Sequence, residues 1–262
     1  MEIAGAKVLL TGATGGIGHA MARRLAAEGA TLVLTGRKAE VLAALGDELG
    51  AEVVACDLGD RTTVSALVER SLDTDILVNN AALPASGDIL ELTVEQIDRS
   101  LEVNLRAPVV LAREIGAAMA ERRRGHIVLI SSLSGKTSSP RTSMYSASKF
   151  GLRGFGQGLR YDMSERNVGV SVIFPGFISD AGMFADADIE LPRGMGTSTP
   201  EQVADALVLG ITRNKGELDV APLAMKAATA FAEVFPGPAH ALTQRFGGDL
   251  AKNLTDKQAD KR

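Results

Sequence analysis

The chain has one cysteine, Cys56, among 262 residues, so no intrachain disulfide can form. That fits a reducing compartment, and Cys56 reads as a small buried apolar residue at a strand end. Histidines number three: His19, His126 and His240 are scattered, with no helical pair at metal spacing and no cysteine partner, so no metal site is expected. A basic excess is also missing. Lys and Arg total 28 against 32 Asp and Glu, a formal net charge of −4, which argues against a nucleic-acid surface. The single tight basic run, Arg122 to Arg124, precedes an apolar segment and reads as a solvated helix end. No apolar run approaches the roughly 18 residues that a membrane-spanning helix needs. The first residues lead almost directly into Lys7-Val8-Leu9-Leu10-Thr11 without a charged-then-apolar leader, so no secretory signal and a cytoplasmic location are expected. Ser143, Ser146 and Ser148 lack a His/Asp relay, which argues against a serine hydrolase.

What the chain does have is alternation. Hydrophobic residues make up 45% and charged residues 23%, as in an ordinary globular protein. Short β-rich runs at Lys7–Thr11, Thr31–Thr35, Glu52–Ala55, Ile76–Asn79, His126–Ser131, Gly169–Phe174 and Glu217–Val220 alternate with helical patterns. Several runs are nearly continuous in Val, Leu and Ile, which suits strands covered on both faces. Helices are expected over Ile17–Glu28, Lys38–Leu49, Arg61–Leu72, Val94–Met119, Ser143–Arg166 and Pro200–Arg213, the last with Thr199 as cap and Pro200 in its first turn. This rhythm predicts a doubly wound α/β fold with a parallel sheet flanked by helices. With no internal repeat and no linker, residues 1–222 are read as one domain. A Gly/Asp/Pro-rich lid is expected at about 179–198, and residues 223–262 as a helical extension, broken at Pro236 and Pro238, with a polar tail.

The first strand runs into Thr11-Gly12-Ala13-Thr14-Gly15-Gly16-Ile17-Gly18, ahead of an Ala-rich helix. Glycine permits a sharp strand-to-helix turn and lets the main chain approach a pyrophosphate, which then faces the N–H groups of the helix start. Further along, Tyr145 and Lys149 are four apart on an expected helix and so share a face. An ammonium there favours the phenolate and is expected to lower the tyrosine pKa from its usual value of about 10.

In order and spacing, these elements resemble the short-chain dehydrogenase/reductase family: Thr-Gly-x-x-x-Gly-Ile-Gly at Thr11 to Gly18, Asp57-Leu58, Asn79-Asn80-Ala81, Val103-Asn104-Leu105, Ser131-Ser132, Tyr145-x-x-x-Lys149 and Pro175-Gly176. The resemblance covers about residues 5 to 222. It implies a Rossmann-type fold with a seven-stranded parallel sheet, and an oxidoreductase acting on a carbonyl or secondary alcohol. It assigns Ser132 to orient the substrate oxygen, Tyr145 to transfer the proton, Lys149 to hold the nicotinamide ribose, and Asn104 to bind a water that links Lys149 to solvent. Gly12, Thr14, Gly15, Gly16, Ile17, Gly18, Asp57, Leu58, Asn80, Ala81, Tyr145, Lys149, Pro175, Gly176 and Ile178 are implied to hold the cofactor, Asp57 through the adenine ring. Two positions depart from the pattern: Ala82 stands for the usual glycine, and Asp180 for a threonine that contacts the nicotinamide carboxamide.

The second strand ends Leu34-Thr35-Gly36-Arg37-Lys38, without the acid that selects NAD. Gly36 is read as leaving room, and Arg37 and Lys38 as charges for a 2′-phosphate, so NADP(H) is expected over NAD(H). The alternative is a catalytically silent NADP-sensing protein of the same fold, which would not need Asn104, Ser132, Tyr145 and Lys149 together. The expected substrate is a small, fairly hydrophobic carbonyl or alcohol, held by Leu133–Thr142 and an apolar lid face of Phe177, Ile178, Met183, Phe184, Ile189, Leu191 and Met195. Gly151, Gly154, Gly156 and Gly158 weaken the helix after Tyr145, at about 1 kcal/mol each. Close approach of another backbone would offset this, and the resemblance implies a homodimer or homotetramer built on that helix and the Val94–Met119 helix. The Pro222–Phe246 stretch is expected to pack on its own core or a sister subunit rather than on a membrane.

Overall fold

The computed structural model of the chain describes residues 1–179 and 196–246. Its strands are β1 (Lys7–Thr11), β2 (Thr31–Gly36), β3 (Glu52–Ala55), β4 (Ile76–Asn79), β5 (Gly125–Ile130), β6 (Val168–Pro175) and β7 (Glu217–Val220). They form one seven-stranded sheet in the order β3-β2-β1-β4-β5-β6-β7, with every pair parallel. The order reverses between β1 and β4, and the carboxyl ends of strands at such a switch point open a crevice.

The helices are α1 (Gly16–Ala27), α2 (Ala39–Leu49), α3 (Arg61–Glu69), α4 (Val94–Leu101), α5 (Ala107–Glu121), α6 (Ser143–Ser164), α7 (Pro200–Arg213), α8 (Leu223–Val234) and α9 (Pro236–Phe246). Central strands send alternate apolar side chains to both faces. Leu9, Leu77, Ile127, Leu129 and Val172 meet α3, α5 and α6 through Leu67, Leu111, Ile115 and Leu152. Val8, Leu10, Ile76, Val78 and Ile173 meet α1, α2 and α7 through Met21, Leu25, Leu42 and Leu207. Each such side chain stabilises the fold by roughly 1.5–3 kcal/mol when fully buried. Two packed layers, more than local helix propensity, therefore hold the sheet. No helix among the described residues is long and apolar enough to cross a membrane.

Several local expectations change. The segment expected as one helix over Val94–Met119 is α4, a π-helical turn at Glu102–Arg106, and α5. Pro108 has no N–H to donate to the Asn104 carbonyl, the acceptor that an α-helix would pair with that position. The widened turn accommodates this, and such π turns recur at functional sites. Strand β5 runs one residue ahead of the expected span at both ends, because its register with β6 begins at Gly125 opposite Val168 and ends at Ile130 opposite Ile173. Pro238 does not break a helix: it lies in the first turn of α9, where a missing N–H breaks no intrahelical bond. Helix α7 starts as expected, with Thr199 accepting from the Gln202 N–H and Pro200 following. Most of the expected lid, with Asp180, Met183, Phe184, Ile189, Leu191 and Met195, lies outside the described residues, as does the tail from 247. The ends of that segment are joined: Ser198 N–H donates to Phe177 O and Ser179 N–H to Ser198 O, each at 2.9 Å.

Candidate active site

At the carboxyl end of β1 the glycine turn is built against the end of β4. The Thr11 hydroxyl accepts the N–H groups of Asn80 at 3.0 Å and Ala81 at 3.1 Å. Asn80 Nδ2 donates to the carbonyls of Thr11 and Gly12, both at 3.0 Å. Gly12 has a φ of 66°, and a Cβ there would stand 2.7 Å from Ala81 Cα. A Cβ on Gly18 would run into the Gly12 carbonyl oxygen, so α1 can approach the turn only without a side chain. Gly15 differs: its Cβ would meet nothing nearer than the Gly12 oxygen at 3.8 Å. Gly15 is also the N-cap of α1, with extended backbone and no side-chain cap. The first-turn N–H groups of Gly16, Ile17 and Gly18 therefore have no capping side chain, and the bare main chain over Gly15 fits a pyrophosphate.

The residues expected at the adenosine end lie after β2 and β3. Gly36 is not the open space expected of it. A Cβ there would meet Thr14 Cγ2 at 2.8 Å and Oγ1 at 3.0 Å, so the room is filled by the Thr14 side chain from the glycine turn. Arg37 and Lys38 are exposed, and Lys38 is the extended N-cap of α2 without a side-chain cap bond. Leu58 is buried in the core. Asp57 is occupied: Arg99 Nη2 of α4 donates to its Oδ2 at 2.9 Å, and the Gly59 N–H to its Oδ1 at 2.9 Å. Partial burial opposes its ionisation. The hydrogen bonds from Arg99 and Gly59, with the charges of Arg99 and Arg37, nonetheless hold the Asp57 carboxyl below the usual carboxylate range.

Past the switch point, the end of β5 and the start of α6 bring Ser132, Tyr145 and Lys149 together. Ser132 Oγ accepts the Ser134 N–H at 3.1 Å and faces the Pro175 carbonyl at 3.4 Å. Tyr145 is fixed through its backbone, its N–H donating to Ala85 O at 3.1 Å. Lys149 is buried, with Nζ donating to Ile130 O at 3.0 Å and standing 5.6 Å from the Tyr145 ring centroid. The expected lowering of the Tyr145 pKa by Lys149 is not what the surroundings produce. Burial pushes the phenol up to about 12, while the neighbouring Ser132 hydroxyl works the other way. Burial likewise brings the Lys149 ammonium down to about 8. Desolvation penalises both charged forms and outweighs an ammonium at that separation.

Asn104 sits in the π turn with its side chain bonded through both its oxygen and its nitrogen. Its Oδ1 accepts the Leu83 N–H at 2.7 Å and its Nδ2 donates to Leu83 O at 2.9 Å. The amide thus clamps the loop after β4, and the Asn104 main-chain carbonyl, which Pro108 cannot pair with, is suited to a water. Of the remaining positions, Pro175 ends β6, Gly176 N–H donates to Val220 O at 2.9 Å, and Ile178 is buried beside Ser198.

Three features escaped the sequence. Thr11 is the hub of the turn, which its place between an apolar strand and the first glycine could have signalled. Met225 of α8 reaches the Pro-Gly turn: a Cβ on Gly176 would lie 2.8 Å from its sulfur and 3.3 Å from Leu133 Cδ1. Lys136 and Arg153 flank the Phe174 ring at 4.2 and 5.5 Å and pair with Asp219 and Glu217 at 2.7 and 2.9 Å, while Arg153 also pairs with Glu233. That network ties the turn after Ser132 and helix α6 to β7 and α8. None of these pairings has a local sequence signal, because their partners are distant along the chain.

Known proteins share this fold. Residues 6–190 match the family described as short chain dehydrogenase. The ketoacyl reductase HetN of Nostoc sp. is 36% identical over 227 residues, which cover 83% of this chain and 79% of the relative. Among solved structures, a short-chain dehydrogenase from Sphingobium yanoikuyae in complex with NADPH superposes with a TM-score of 0.73 at 29% identity, covering 82% of this chain and 87% of that one. The 3-ketoacyl-(acyl-carrier-protein) reductase from Brucella melitensis complexed with NADH gives 0.75 at 25% identity, covering 83% and 97%. The seven-stranded parallel sheet agrees with these matches, and the chain belongs to the short-chain dehydrogenase/reductase family of oxidoreductases.

Proposed function

We propose that this chain moves a hydride between NADP(H) and a carbonyl or secondary alcohol, with Tyr145 transferring the proton. The observation that carries the reading is the convergence of Ser132, Tyr145 and Lys149 at the crevice, beside β5, whose partner β4 ends against the glycine cradle. When bound, the nicotinamide supplies or accepts the hydride. Gly12, Thr14, Gly15, Gly16, Ile17 and Gly18 hold the pyrophosphate end; Asp57, Leu58, Asn80 and Ala81 flank the adenosine side; Lys149, Pro175, Gly176 and Ile178 hold the nicotinamide end. Ser132 orients the substrate oxygen. Tyr145 gives its proton to that oxygen in reduction and takes it back in oxidation. A phenol pushed up to about 12 is suited to stay protonated and act as the acid, and a positive charge brought beside it favours the phenolate needed for the reverse direction. Lys149 and the Asn104 carbonyl, with a water, connect Tyr145 to solvent, so that its proton is replaced from solvent after reduction and passed to solvent after oxidation.

Arg37 is the NADP(H)-selecting residue in this reading, with Lys38 a second positive charge, and no acid stands at the end of β2. The substrate is a small, fairly hydrophobic carbonyl or alcohol, with Leu133 and Met225 forming apolar wall. The protein works as a homodimer or homotetramer in a reducing, cytoplasmic setting. Steady-state assays with panels of carbonyls and alcohols and all four cofactor forms test the reading: turnover with NADPH or NADP⁺ at lower KM than with NADH or NAD⁺ supports it. Binding of NADPH without turnover of any tested carbonyl would favour a sensing role instead.

A further inference from the structure

The Asp57–Arg99 pair stands where the Arg37 reading is most exposed to interference. Asp57 follows β3, and β3 lies beside β2 in register, with Ala55 opposite Gly36, the residue before Arg37. Arg99 comes from α4, 42 residues further along the chain than Asp57. Its Nη2 reaches both carboxylate oxygens, Oδ2 at 2.9 Å and Oδ1 at 3.2 Å, and the Gly59 N–H takes a second position on Oδ1 at 2.9 Å. Gly59 lets the guanidinium settle over the turn: a Cβ there would run into Arg99 Nη1 and stand 3.1 Å from its Cζ. Oδ1 thereby has both of its acceptor positions filled, and Oδ2 keeps one.

The charge balance follows from that geometry. Arg37 acts on the Asp57 carboxylate through its charge. Without Arg99, Asp57 would be an uncompensated anion at the strand end beside the one that carries Arg37. It would draw the Arg37 guanidinium toward itself, and it would repel a 2′-phosphate approaching the same place. NAD(H) has no such phosphate and would be spared both effects. We propose that Arg99 is a cofactor-positioning residue: by pairing with Asp57 it cancels that carboxylate and leaves Arg37 to a 2′-phosphate. This rests on the NADP(H) reading of Arg37.

The test is a binding titration of NADPH and NADH, by cofactor fluorescence, on the whole chain. Arg99→Gln is expected to weaken NADPH by about 3- to 10-fold more than NADH at low salt, with the difference shrinking in high salt as a partly exposed charge effect does. Arg99→Lys, which keeps the charge, is expected to keep most of the NADPH:NADH ratio. In an Asp57→Asn background there is no carboxylate to cancel, so adding Arg99→Gln is expected to leave the ratio unchanged. Thermal melts of every variant check folding. An equal loss for both cofactors on Arg99→Gln, or the same drop in ratio with and without Asp57, overturns the proposal. Arg37→Ala, run alongside, separates the two ideas. If it lowers the ratio while Arg99→Gln does not, only the role of Arg99 falls. If it leaves the ratio intact, the NADP(H) reading falls and this proposal with it.

Discussion

Lys149 points its ammonium at the Ile130 carbonyl, 3.0 Å away, and stands 5.6 Å from the centroid of the Tyr145 ring. Lys149 is buried and Tyr145 partly so, and desolvation moves them in opposite directions: Lys149 down to about 8 and Tyr145 up to about 12. The site therefore costs the fold stability. Below pH 8 Lys149 is charged in the folded and unfolded chain alike, and the full penalty applies, about 3 kcal/mol for a fall from 10.5 to about 8. Between pH 8 and 10.5 the unfolded chain binds the extra proton, so this contribution to stability rises with pH. Lys149→Met is expected to melt at a higher temperature than wild type at pH 7, with the gap closing as pH rises toward 10.5, while turnover falls. Melts at stepped pH check this; a variant less stable than wild type at pH 7 would contradict it.

Asn104 is expected to behave as a structural residue in a site position. Asn104→Ala removes both bonds to Leu83 and leaves a buried N–H and C=O unpaired, at about 1–3 kcal/mol per group. Urea denaturation is expected to show a loss of about 2–5 kcal/mol, and hydrogen exchange a faster Leu83 amide. A variant with wild-type stability and reduced activity alone would show that the amide's part is purely chemical.

Gly15 and Gly18 separate folding from cofactor binding. Gly15→Ala has room in the free chain and is expected to melt within about 1 kcal/mol of wild type. The same methyl would stand where a pyrophosphate approaches, so NADPH affinity is expected to drop by roughly 10- to 100-fold, the worth of a charge-assisted hydrogen bond. Gly18→Ala meets the Gly12 carbonyl and is expected to destabilise the free chain itself. Equal NADPH affinity for Gly15→Ala and wild type would move the phosphate site elsewhere.

How far the sequence could be read depended on the range of each interaction. The strands, α1, α7 and its cap came from local pattern, because strands apolar on both faces and a Thr-Pro helix start are written in adjacent residues. Tyr145 and Lys149 were legible from their four-residue spacing on one helix, and Ser132 through the family resemblance. The break at Glu102–Arg106 was missed because the apolar period continues through it and only Pro108 interrupts the bonding. The Gly36 space and the Asp57–Arg99 pair were not legible: Thr14 and Arg99 arrive through tertiary packing. The direction of the Tyr145 shift also lay beyond the sequence, since an ammonium at position 149 is visible there and the depth of burial is not.

Assembly follows from the outward side of α6. Of its four glycines, two are explained within the chain. A Cβ on Gly151 would press on Leu105, and one on Gly156 would run into Val172. Gly154 and Gly158 face open space, beside exposed Phe150 and Tyr161. Light scattering at micromolar concentration is expected to give a dimer or tetramer of the 27.4 kDa chain, and Gly158→Glu to shift it toward monomer without loss of secondary structure. A wild-type monomer under those conditions would reject this interface.

The proton-transfer role of Tyr145 is tested most directly by Tyr145→Phe. NADPH affinity and the reduction rate are measured on the same samples, with the carbonyl that wild type turns over fastest. The expected result is a folded variant that binds NADPH within about twofold of wild type and reduces the carbonyl about 10²- to 10⁴-fold more slowly, the worth of a positioned acid. A variant that keeps more than about a tenth of the wild-type rate would contradict the assignment, because even a weak general acid contributes more than that.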